Sequence, residues 1–150
     1  MPQLYNCSIL HSFLKKMNHF YYEIVFLIHI LIVLTMKKIY FLGTCSTNTR
    51  ILKELQLDNI QMQDIKKDPL TIKQVEEMAE LAGSYEALFS RKAMKYRALG
   101  LNKQELSEED YKKYIVQEYT FLKRPVAILD GEIYIGNSKT TIEALTKKLG

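Results

Sequence analysis

The chain is 150 residues long, 47% hydrophobic and 25% charged, the balance of an ordinary globular protein, which excludes a disordered, collagen-like or wholly membrane-embedded chain. Its formal net charge of +4 comes from 21 basic and 17 acidic residues, with no Lys/Arg run longer than two, so nothing marks a nucleic-acid-binding arm. The two cysteines, Cys7 and Cys45, have no Cys/His cluster around them, which argues against a disulfide-stapled scaffold or a structural zinc site.

Residues 24–34 form an apolar run, Ile-Val-Phe-Leu-Ile-His-Ile-Leu-Ile-Val-Leu, broken only by His29. As a helix it would rise about 16 Å, short of the roughly 30 Å bilayer core. Lys15-Lys16 ahead of it resemble the charged head of a signal peptide, but no small-residue cleavage pattern follows. Segment 1–35 therefore reads as an apolar extension, either a mis-assigned start with Met36 as the working first residue or a signal-like segment. Export is the weaker reading, and the domain at 36–150 is expected in the cytoplasm with no membrane attachment of its own.

From Met36 onward the elements alternate. Residues 37–42 are β-branched and aromatic up to Gly43, a short buried strand. A polar loop follows at 44–48, and Ile51, Leu52, Leu55 and Leu57 then recur at helical spacing. Ile60-Gln61-Met62-Gln63 alternates apolar and polar as a second strand, broken at Pro69. Thr71, with Gln74 three residues on, caps a helix striped by Ile72, Val75, Met78, Ala79 and Leu81 that stops at Gly83. Residues 84–100 read as short helices and loop with a dense basic content. Ser107, with Asp110 three residues on, opens a helix running to about Tyr119, and Tyr96, Tyr111 and Tyr114, at helical spacings, read as packing residues. Arg124-Pro125 then introduces Val126–Leu129, an Asp130-Gly131 turn of type I′ and Glu132–Ile135, a hairpin. Ser138 or Thr140 opens a last helix with Ile142, Leu145 and Leu149 on one face. This order is α/β and matches a thioredoxin-like fold with a helical insertion before the C-terminal β-hairpin and last helix.

Cys45 sits between a strand and a helix, in Gly43-Thr44-Cys45-Ser46-Thr47-Asn48. A helix N-terminus favours a thiolate and nearby anions through its dipole and unpaired amides. Cys45 is thus either a nucleophile or a small buried hydrophobe. Thr47 and Asn48 are the polar groups beside it that could face an anion. A Cys-x-x-Cys pair is absent, because Asn48 stands where its second thiol would be, so redox turnover would need an outside thiol. Arg50 follows Cys45 after four residues, one too few for a phosphatase-type loop. Arg124 beside Pro125, and Arg91 within the group Arg91, Lys92, Lys95 and Arg97, could complete an oxyanion pocket, since the planar guanidinium fork binds two oxygens at once. For the basic group a solvated face remains the alternative. The three histidines all lie in segment 1–35.

Residues Thr44–Leu52, Leu88–Leu101 (Leu-Phe-Ser-Arg-Lys-Ala-Met-Lys-Tyr-Arg-Ala-Leu-Gly-Leu), Leu122–Ile128 (Leu-Lys-Arg-Pro-Val-Ala-Ile) and Ile135-Gly136 resemble the arsenate reductase (ArsC) and Spx family in order and spacing. The resemblance spans essentially 36–150, and its most specific part is Arg-Pro before the hairpin together with the upstream cysteine. It implies a thioredoxin-like fold with a helical insertion and no tightly bound cofactor. It also implies a cysteine that attacks arsenate held by arginines, giving an adduct that glutathione and glutaredoxin resolve. Carried over, Cys45 is the nucleophile, Arg124 an oxyanion clamp and Arg91, displaced by one residue, the nearest match to an earlier family arginine. The family's histidine falls at Phe41 and its arginine after the hairpin falls at Gly136. Spx-type members are regulators that bind RNA polymerase, so the alternative function is a non-enzymatic regulator of that kind.

Overall fold

A computed structural model describes residues 21, 23–28, 31 and 37–150. The chain divides into two compact units, Met1–Thr35 and Met36–Gly150. In the first unit the described residues are helical, and among the described residues no helix is long and apolar enough to cross a membrane. The expectations for Cys7, Lys15, Lys16, His29 and a start at Met36 lie outside the described residues.

The second unit is built on a four-stranded sheet of order β2-β1-β3-β4: β1 (Lys37–Phe41), β2 (Gln61–Asp64), β3 (Val126–Leu129) and β4 (Glu132–Ile135). β1 runs parallel to β2 and antiparallel to β3, and β3 and β4 form the hairpin. Helix α1 (Ser46–Glu54) lies in the connection from β1 to β2, the crossover that a parallel pair requires. Between β2 and β3 lie α2 (Ile72–Ala82), α3 (Tyr85–Leu88), α4 (Met94–Ala98) and α5 (Glu108–Gln117), and α6 (Lys139–Leu149) closes the chain. This is the thioredoxin-like order that the sequence predicts, helical insertion included.

Why the middle strands are continuous in hydrophobicity follows from the layers. All four residues of β3 are buried. Val126 and Ile128 enter the core formed with Tyr40, Val75, Met78, Leu88, Tyr111 and Ile115, whereas Ala127 and Leu129 enter the other, with Ile39, Ile51, Leu55 and Leu145. A strand covered on both faces has no solvent side to carry polar residues. Each large apolar side chain so buried contributes about 1.5–3 kcal/mol relative to exposure.

β2 departs from the predicted pattern. Met62 is 40% exposed and Gln63 only 4%, the reverse of what alternation suggests. The Gln63 amide donates to the Asp68 carbonyl (3.0 Å) and accepts from Gln74 Nε2 (2.9 Å), so its burial is compensated by hydrogen bonds. β2 is an edge strand only four residues long, and a one-residue shift in facing turns every side chain over. Elsewhere the local signals hold. Thr71 and Gln74 form a capping box, Gly83 ends α2 at φ 83°, and Ser107 and Asp110 form a second box. α5 stops at Gln117, and Tyr119–Phe121 is a separate 3-10 turn. Asp130 and Gly131 adopt φ 52° and 80°, as a type I′ turn requires.

Tyr40 is 1% exposed, and its burial, reinforced by the Glu77 carboxylate, pushes the phenol from 10.0 to about 12. The unfolded chain loses this proton near the ordinary value and the folded chain only above it. The associated stability is therefore whole below pH 10 and lost as pH rises towards about 12, at most about 2–3 kcal/mol. Tyr40→Phe is expected to flatten that alkaline decline in urea midpoints. Tyr134, pushed to about 12 chiefly by its hydrogen bond to Glu132, retains part of the slope.

Candidate functional site

Cys45 occupies the N-cap of α1 with extended backbone (φ −94°, ψ 113°) and no side-chain cap bond. The helix begins at Ser46, so Ser46, Thr47 and Asn48 belong to its first turn and not to the predicted loop. Asn48 and the neighbouring Thr49 do not oppose it because their polar groups bond to backbone. Asn48 Oδ1 accepts from the Leu42 N–H (3.0 Å), and the Thr49 hydroxyl donates to the Cys45 carbonyl (3.1 Å). The preceding turn is closed by the Cys45 N–H on the Leu42 carbonyl (3.0 Å) and by the Gly43 N–H on Asp64 Oδ1 (3.2 Å). A Cβ on Gly43 would stand 2.5 Å from Asp64 Oδ2, so glycine suits this close approach to the end of β2.

Asn48 is 2% exposed, and its oxygen is committed to the backbone of the strand that delivers Cys45. Asn48→Ala strands the Leu42 N–H in a buried place and is expected to cost about 1–3 kcal/mol. Asn48→Asp keeps the acceptor and is expected to cost less. Urea unfolding of both variants checks the order.

Arg124 is placed by a short antiparallel stitch. Phe89 bridges Leu122, the Ser90 N–H donates to the Phe121 carbonyl (2.6 Å) and the Lys123 N–H to the Leu88 carbonyl (2.8 Å). This ties the segment bearing Arg91 to the one bearing Arg124. The Arg124–Pro125 peptide is cis, and the Pro125 carbonyl accepts from the Gly136 N–H (2.8 Å). Phe89 stacks on Phe121 at 5.0 Å and lies 4.9 Å from Tyr111 and 5.9 Å from Tyr96, so the tyrosines pack as predicted.

A cavity of about 780 Å³ is lined by Cys45, Thr47, Asn48, Arg91 and Arg124 together. All five residues singled out in the sequence thus share one space. Arg124 Nη1 is buried and has no hydrogen-bond partner among the described residues. Arg91 is differently disposed: its Nη2 donates to Glu86 Oε1 (2.5 Å) and to the Tyr111 hydroxyl (3.0 Å). Lys92 also lines the cavity. Lys95 and Arg97 do not line it, and Lys95 is ion-paired with Glu118, whose carboxyl it holds below the usual range. Arg50 pairs with Glu54 at 3.1 Å on the surface.

Sequence reasoning missed Glu86, Lys123 and Ser138 on the cavity wall. Ser138 is the N-cap of α6, its hydroxyl accepting from the Thr141 N–H (3.1 Å), so two helix N-termini meet the cavity. Neither α1 nor α6 has an acidic residue in its first turn, which leaves both positive dipole ends unneutralised. That absence was the available signal. Gly136, at φ 85°, also lines the cavity, and a Cβ there would meet nothing within 4 Å. Among the described residues no group of His, Cys, Asp and Glu could hold a metal ion.

The model of the ArsC family matches residues 40–145. Among solved structures, an arsenate reductase from Vibrio cholerae is 18% identical, with 77% of this chain and 98% of that one covered at a TM-score of 0.62. An arsenate reductase (ArsC) related protein from Brucella melitensis is 21% identical, with 73% and 93% covered at 0.57. "A possible arsenate reductase from Streptococcus mutans UA159" is 28% identical, with 74% and 98% covered at 0.59. At the first two identities the likeness is one of fold. No curated protein matches the sequence.

Proposed function

The chain belongs to the ArsC family, and we propose that it is a thiol-dependent oxidoreductase in which Cys45 attacks arsenate or a similar small oxyanion and external thiols complete turnover. The observation carrying this reading is Arg124, whose Nη1 is buried without a partner among the described residues, on the wall that Cys45 also lines. An unsatisfied buried donor is costly, and a charged fork is best satisfied by an oxyanion. The N-termini of α1 and α6 add their amides and dipoles to the same space.

In the first step Arg124 orients the tetrahedral anion, the Cys45 thiolate gives an electron pair to arsenic, an S–As bond forms, and one oxygen leaves as water after taking up protons. An external thiol such as glutathione then attacks Cys45 Sγ. An S–S bond forms and the S–As bond breaks, its electron pair remaining on arsenic, which departs as arsenite, reduced from As(V) to As(III). A second thiol, free or on glutaredoxin, reduces the mixed disulfide and returns Cys45 to its starting state. Cys45 is the sole cysteine of residues 36–150, so both electrons come from outside this unit. No tightly bound cofactor enters the scheme.

The test is alkylation of Cys45 in the full chain, followed by peptide mass spectrometry, as arsenate or phosphate is titrated, and then arsenite formation with glutathione and glutaredoxin. Saturable protection and arsenite production are expected. Alkylation indifferent to both anions would overturn the oxyanion site. Protection without arsenite would leave the site standing and overturn the reductase.

A further inference from the structure

Resting on that reading of the cavity, we propose that Glu86 is a positioning residue that competes with the oxyanion for Arg91, making Arg91 a clamp that moves from an internal carboxylate to the substrate. Glu86, Arg91, Cys45 and Arg124 line one cavity, yet the two arginines are held in opposite ways. Arg124 carries a buried nitrogen with no partner among the described residues, whereas both hydrogen bonds of Arg91 fall on one nitrogen, Nη2, shared between Glu86 and Tyr111.

The two partners of Arg91 differ in rigidity. Tyr111 is 6% exposed and packed on Phe89, so its hydroxyl is a fixed pivot. The Glu86 and Arg91 side chains are 53% and 56% exposed, so the ion pair is held by charge in partial contact with water and exchanges at little cost. The backbone beneath Glu86 is itself anchored, because the Glu108 carboxylate accepts from the Tyr85 and Glu86 N–H groups (2.6 and 3.4 Å). Release of Arg91 therefore needs only side-chain rotation. A tetrahedral oxyanion presents the guanidinium with the acceptor geometry of a carboxylate and a larger charge, and a displaced Glu86 can turn to solvent. Until then Glu86 offsets part of the cavity's positive charge, which Lys92, Lys123 and Arg124 also supply on its wall.

The experiment measures, in the full chain, the phosphate concentration that half-protects Cys45 from alkylation, for wild type, Glu86→Gln, Arg91→Ala and the double variant. Glu86→Gln is expected to lower that concentration about two- to fivefold, the range of an exposed ion pair, with a smaller effect at high salt. In the Arg91→Ala background the same change is expected to have no effect, which a merely structural role for Glu86 would not produce. An unchanged or raised half-protecting concentration in Glu86→Gln, or an equal gain without Arg91, overturns the role of Glu86 alone. Absence of phosphate protection in the wild type overturns the oxyanion site and this inference with it.

Discussion

Arg124→Met is expected to raise the midpoint of urea unfolding while removing the protection of Cys45 by phosphate or arsenate. The two effects share one cause. In the native chain Nη1 is withdrawn from solvent without a partner among the described residues, a penalty of about 1–3 kcal/mol for one donor, and methionine fills a similar length without a polar atom. The anion, in turn, loses charge-assisted hydrogen bonds of about 1.5–3 kcal/mol each, some ten- to hundredfold in affinity. Arg124→Lys keeps the charge but loses the planar fork and is expected to fall between. Loss of stability together with loss of protection would show that Arg124 is held for the fold and not for a ligand.

Cys45→Ser is expected to bring thiol-dependent arsenite formation to the uncatalysed background, about a thousandfold or more down, because a serine hydroxyl is not ionised at neutral pH and cannot form the mixed disulfide that external thiols resolve. Stability should move the other way. Cys45 holds the N-cap of α1 with no side-chain cap bond, and serine is among the best caps, with up to about 1 kcal/mol to gain. Both midpoints would thus rise as function is removed, the pattern of residues kept for a site at the expense of the fold. Full arsenite formation by Cys45→Ser would overturn the nucleophile. If the wild type forms no arsenite yet binds purified RNA polymerase, the non-enzymatic regulator becomes the better description.

The cavity was partly legible beforehand. Cys45 could be placed at a strand-to-helix junction from apolar spacing on either side, and Arg124 stood out because Pro125 marks a strand entrance. Ser138 was visible only as a helix opener, since nothing local says that α6 ends against the same space as α1. Glu86 gave no signal, being one acid in a basic stretch. The polar loop assigned to residues 44–48 gives way to helix from Ser46 on, where Asn48, of a type that usually opposes a helix, bonds to the Leu42 N–H.

The element order, the Thr71 and Ser107 caps, the Asp130-Gly131 turn and the position of Cys45 follow from the residues alone, since each rests on interactions spanning a few positions. Long-range packing, by contrast, turns Gln63 and not Met62 inward, leaves Arg124 Nη1 buried without a partner among the described residues while Arg91 is engaged by Glu86 and Tyr111, and brings two helix N-termini to one cavity. Those outcomes depend on which distant segments pair, and in particular on the Phe89–Leu122 bridge. Hydrophobic periodicity constrains the face a segment buries but not the neighbour it meets there.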